Sequence, residues 1–164
     1  MITKDQLRDS LTRECDIASH LFTKLSPESY SYRPAPEQRS TVELLRYLAI
    51  CATGAIRCMS EANWKLFSEY SERVKEMPAE GFPQMMALQK GEIEAFFDRA
   101  SEEMLAKEAP MPGGAVTAPL AVAILNGPLK WLAAYKMQLF LYAKASGATD
   151  LKTSNLWRGV DAKP

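Results

Sequence analysis

The chemistry-bearing residues of this chain fall on two stripes. Near the C-terminus runs Trp131-Leu-Ala-Ala-Tyr135-Lys-Met-Gln138-Leu-Phe-Leu-Tyr142. Positions 131 and 135 have the four-residue spacing at which two side chains of one helix face can ligate one metal ion. Both hold aromatic rings, and the only histidine of the chain is His20, so a three-imidazole site cannot be assembled. Upstream, Tyr47, Cys51, Gly54 and Cys58 follow one another at intervals of four, three and four, a second helical stripe. Neutral tyrosine is a poor ligand for a divalent ion, and the tryptophan N–H has no lone pair to give. Cys51 and Cys58 stand about 10 Å apart along a helix axis, too far to share an ion. What these residues can do is line a cavity. Trp131 would supply an apolar wall, and Tyr47, Tyr135 and Gln138 would supply hydrogen-bonding tips, with Cys51 and Tyr142 beside them. Plain core packing is the competing reading. For acid–base chemistry the candidates are Tyr135 and His20, the latter for its ordinary pKa.

Four long helical segments must position these residues. The first spans about Lys4 to Leu25 and ends at Ser26-Pro27, because a residue before proline is pushed out of the helical region. Ser40 and Glu43 form a capping box that opens the second, expected to run through Met59 towards Tyr70 with Gly54 as its weak point. The third covers about Gln84 to Lys107. The fourth covers about Ala118 to Ser146, with a kink at Pro128 and a glycine stop at Gly147. No useful period-two pattern is present, and the tail from Asp150 to Pro164 reads as irregular, pinned by Leu156 and Trp157. The expectation is an all-α, four-helix bundle forming one domain over residues 1–164.

Composition bounds the partners. A chain of 164 residues buries roughly 70% of its unfolded surface, enough for a real core. It is 47% hydrophobic and 24% charged, with twenty basic and twenty acidic residues. No net field draws nucleic acid or an anionic membrane. The longest mostly apolar stretch, Ala115 to Leu129, is broken by Pro119, Asn126, Gly127 and Pro128, so no membrane span is expected. There is no signal-peptide pattern at the start, and three cysteines do not make a disulfide framework. A reducing cytoplasm is the expected compartment.

Two segments carry a family resemblance. Arg33-Pro-Ala-Pro-Glu-Gln-Arg-Ser40-Thr-Val-Glu43-Leu-Leu-Arg-Tyr47-Leu-Ala resembles the helix-two entry of the DinB/YfiT-like superfamily: a proline-rich connector, a serine cap, then Glu-Leu-x-x-His-Leu. Trp131-x-x-x-Tyr135-Lys-x-Gln138-Leu-x-x-Tyr142-x-Lys-x-x-Gly147 is similar to that group's His-x-x-x-His-Arg-x-Gln-Leu-x-x-Tyr-Leu-Arg-x-x-Gly. The resemblance implies a four-helix bundle, often a homodimer, in a group named for DNA-damage induction. Many members hold nickel or zinc through three histidines, and some use low-molecular-weight thiols as cosubstrates. On this chain those three ligand positions fall on Tyr47, Trp131 and Tyr135, a degenerate metal site for which no cofactor is expected. The leading expectation is a metal-free protein binding a small, partly apolar molecule between helices. The alternatives are a thiol-dependent S-transferase or isomerase, and a structural or partner-binding dimer with the former site closed.

Overall fold

In the computed structural model, residues 2–162 are described. Helix α1 (Lys4–Phe22) opens on a capping box made by Thr3 and Gln6. It packs along α5 (Phe82–Arg99) and α8 (Lys130–Ala145). Its Leu7, Leu11, Ala18 and Leu21 join a cluster of buried side chains drawn from every long helix.

The second helical segment is two helices. Helix α2 (Thr41–Leu48) starts at the expected box, with the Ser40 N–H donating to the Glu43 carboxylate at 2.7 Å. The chain then breaks at Ala49–Ile50 and resumes as α3 (Cys51–Ser60). The break is not at Gly54, which lies inside α3. A Cβ there would stand 3.0 Å from the Phe67 ring and 3.2 Å from that of Tyr70, so this glycine admits helix α4 (Phe67–Val74). The break is held from outside by Gln89 of α5, which is fully buried. Its Oε1 accepts from the N–H groups of Ala52 (3.0 Å) and Thr53 (3.3 Å), and its Nε2 donates to the Leu48 carbonyl (3.0 Å). One amide thus caps the end of α2 and the start of α3, whose terminal backbone groups have no partner within their own helices.

The third segment ends at Arg99, and α6 (Glu102–Ala106) starts anew on the Ser101 side chain. A two-stranded hairpin follows, which the sequence pattern did not show. Strands β1 (Glu108–Pro110) and β2 (Thr117–Pro119) pair antiparallel around the glycine turn at Gly113-Gly114. The fourth segment comprises α7 (Leu120–Ile124), a π-helical turn over Leu125–Leu129, and α8. Pro128 lies inside that turn: a proline that cannot donate a backbone bond is accommodated by widening the helix rather than ending it.

The tail is not irregular. Helix α9 (Thr153–Arg158) ends on Gly159 in the left-handed conformation and packs on α1. Leu156 is buried there as expected. Trp157 is 55% exposed, and Asn155 takes the second buried place instead.

Candidate functional site

The C-terminal end of α2 and the middle of α8 bring Tyr47 and Tyr135 together. Their rings meet edge to face with centroids 4.9 Å apart. Tyr47 also leans on Phe67 of α4, at 6.2 Å. Above the pair lies Arg39, the residue before the α2 cap. Its guanidinium carbon stands 4.3 Å from the Tyr47 ring centroid and 5.6 Å from that of Tyr135. Stacking over two rings holds this cation by cation–π attraction. No carboxylate among the described residues pairs with it: the acid of the α2 cap, Glu43, is engaged by Arg33.

One turn further along α8, Gln138 Nε2 donates to the Tyr142 hydroxyl at 2.6 Å, which donates to the Arg39 carbonyl at 3.0 Å. The polar tips on this stripe therefore bond to each other. They also fasten the backbone of Arg39 to α8, which sets where its guanidinium rests. Trp131 sits one turn before Tyr135. Its ring faces Trp64, 6.5 Å away, rather than Tyr47. Cys51 is fully buried behind the tyrosines, with its thiol on the Leu48 carbonyl. Tyr47, Trp131, Tyr135 and Gln138 are half-buried, whereas Tyr142 is buried.

His20 belongs to a different place. On α1 it meets the tail, with Nε2 3.1 Å from Asn155 Nδ2. Asp161 closes this cluster, accepting from Asn155 at 2.9 Å and pairing with Lys24 at 2.6 Å. Burial lowers the pKa of His20, Lys24 lowers it further, and Asp161 opposes them. This histidine fastens the tail and stands apart from the tyrosines.

The three positions that carry histidine in the resemblance do not fit a divalent ion. Burial pushes the Tyr47 hydroxyl far above the ordinary phenol range, with Cys51 and Tyr135 adding and Arg39 opposing. The phenolate a metal would need is disfavoured, and the guanidinium beside it repels a second cation. Among the described residues no three His, Cys, Asp or Glu side chains gather as a ligand set. The thiols are equally unsuited to nucleophilic work. Burial raises Cys15 to about 12 and lifts Cys51 and Cys58 as well, so none is a thiolate near neutrality.

Comparison with solved structures decides the architecture. The chain superimposes on the crystal structure of a DinB-like protein from Bacillus subtilis with a TM-score of 0.71 over 90% of this chain and 96% of that one, at 19% identity. The fold is DinB-like. No family model matches the sequence, and no curated protein matches it. On this DinB-like scaffold no helix of the described residues is long and apolar enough to cross a membrane.

Arg39, Trp64 and Gln89 were not among the residues the sequence singled out. Arg39 lies in a proline-rich connector with no periodicity, and Gln89 reads as one more polar residue of α5. The cap at Ser40 was the only local signal beside Arg39, and it fixes where α2 starts rather than what stands above it.

Proposed function

We propose that this DinB-like protein binds a small, partly apolar anion at the Arg39–Tyr47–Tyr135 cluster, without a resident metal. The observation that carries this reading is the Arg39 guanidinium, which lies over two tyrosine rings and pairs with no carboxylate among the described residues. A fixed cation of this kind attracts a carboxylate, phosphate or thiolate. The half-buried rings of Trp131 and Tyr135 give an apolar body something to lie against. Gln138 and Tyr142 act from behind by holding the Arg39 backbone. The protein would work as a binding module, or as a transferase or isomerase in which Arg39 stabilises an anionic thiol cosubstrate.

The test is a thermal-shift and calorimetric screen of aryl carboxylates and low-molecular-weight thiols against wild type and Arg39→Gln. A ligand that stabilises the wild type and loses at least tenfold in affinity with Arg39→Gln supports the reading. Stoichiometric nickel or zinc in protein purified without a histidine tag overturns its metal-free part.

A second reading has its own support: the direct contact of Tyr47 with Tyr135 fills the space between α2 and α8. In that case the site is closed and the chain serves as a homodimeric structural or partner-binding protein. The absence of any ligand response, together with a dimer in light scattering, favours it.

A further inference from the structure

A concavity lies on the outward face of α3, with Tyr70 but none of Arg39, Tyr47 and Tyr135 in its lining. Its volume is about 520 Å³, within the range of roughly 300–1,000 Å³ typical of small-molecule sites. Thr53, Ile56, Arg57 and Ser60 line it from α3, at intervals of three, one and three, one face of the helix. The buried Cys51, Ala55 and Cys58 point the opposite way, into the core. Helix α5 supplies Ile93, Phe96 and Arg99, and Met104 comes from α6.

The polar rim is almost fully satisfied from within. Arg57 is held by Glu61 at 2.9 Å and Glu69 at 2.8 Å. Glu92 accepts from the Thr53 hydroxyl and from Arg73, both at 2.7 Å. Arg99 is the exception. Its Nε donates only to the Ala95 carbonyl of its own helix, at 3.1 Å, and no carboxylate among the described residues pairs with it. Beneath it, the half-buried Phe96 and Met104 leave apolar surface facing the concavity.

We propose that this pocket between α3, α5 and α6 is a second binding site, for a small amphiphilic carboxylate such as a medium-chain fatty acid. The chain would lie against Phe96 and Met104, with the buried Ile56 and Ile93 as the floor beneath them, and the carboxylate would meet Arg99. Arg99 is the lining cation that no carboxylate among the described residues pairs with, and Phe96 and Met104 beside it are apolar, so an anionic head on an apolar chain is the occupant. A second copy of the chain fits less well. Arg57, Glu61, Glu92 and Arg99 stand around the concavity, and charged residues are depleted at protein interface cores. The most exposed large apolar side chains, among them Leu88, Val116 and Leu141, do not line it.

Calorimetric titration with dodecanoate and with dodecanol, below their aggregation thresholds, tests the assignment. Dodecanoate is expected to bind one to one. Dodecanol is expected to bind at least tenfold more weakly, and Arg99→Gln to lower dodecanoate affinity about tenfold, the loss of one charge-assisted contact. Ala95→Phe, at an exposed position of the lining, is expected to abolish binding by filling the cavity while leaving the melting temperature in place. Three results overturn the proposal. The first is no saturable binding of dodecanoate. The second is binding lost with Arg39→Gln and retained with Ala95→Phe, which places the probe at the tyrosine cluster. The third is a dimer in light scattering that Ala95→Phe converts to monomer, which gives the groove to a second copy.

Discussion

Replacing Gln89 by leucine should destabilise this protein more than its place on a polar-looking helix implies. Leucine keeps much of the volume but removes both halves of the amide. The N–H groups of Ala52 and Thr53 lose their acceptor, and the Leu48 carbonyl loses its amide donor and keeps only the weak Cys51 thiol. These groups are buried where helix ends leave them without intrahelical partners. An unsatisfied buried donor costs about 1–3 kcal/mol, so the two N–H groups together give about 2–6 kcal/mol. At about 4 kcal/mol, the melting temperature of a chain this long should fall by about 8–16 °C. Urea unfolding of Gln89→Leu beside Gln84→Leu, an exposed position on the same helix, measures the difference. The control should change stability by no more than about 0.5 kcal/mol. Because Gln89 fixes the α2–α3 break just beyond Tyr47, the near-ultraviolet dichroism of the tyrosines should also change. A loss below about 1 kcal/mol for Gln89→Leu would show that water or a straightened helix satisfies those groups, and would refute the capping argument.

Three other sets of side chains carry measurable consequences. Lys136 is 1% exposed and sits 2.6 Å from Glu14, beneath the Trp157 ring. Lys136→Met alone should cost about 3–5 kcal/mol by stranding the carboxylate, whereas Lys136→Met with Glu14→Leu should recover most of it; equal losses in single and double variants would sink this account. His20 has a lowered folded-state pKa, so below its unfolded value near 6.5 the unfolded chain takes up more protons and stability falls on acidification. The His20→Gln variant should flatten the stability–pH curve from about pH 6.5 downwards, and an unchanged slope would mean that the tail cluster contributes nothing there. All three cysteines are buried with raised pKa values. A disulfide reagent at pH 8 should therefore label the folded protein slowly and the urea-unfolded protein three times over; prompt native labelling of one thiol would reopen a nucleophilic role.

The helix types, the cap at Ser40 and the distortion at Pro128 were all legible in the sequence because each depends on residues within a turn of one another. The tail helix was not. Its six residues, Thr153–Arg158, are stabilised by Asn155 and Leu156 packing against α1, a contact that spans most of the chain. The hairpin escaped for a similar reason, since three-residue strands carry too little alternation to read.

The candidate site divides in the same way. The sequence alone determined that aromatic rings occupy positions 47, 131 and 135, that one histidine cannot replace an imidazole triad, and that Gln138 and Tyr142 share a face one turn apart. Residue identity and helical period suffice for such statements. Only the tertiary structure decided that Tyr47 meets Tyr135 while Trp131 turns to Trp64, and that Arg39 supplies a cation over the tyrosine pair. It also decided that His20 is spent on the tail. Those outcomes depend on where the α2–α3 break falls and on how the connector before Ser40 crosses α8. Gln89 settles the first from 41 residues beyond Leu48, and Tyr142 the second from 103 residues beyond Arg39. Hydrogen bonds between residues so far apart in the chain leave no periodic trace in it.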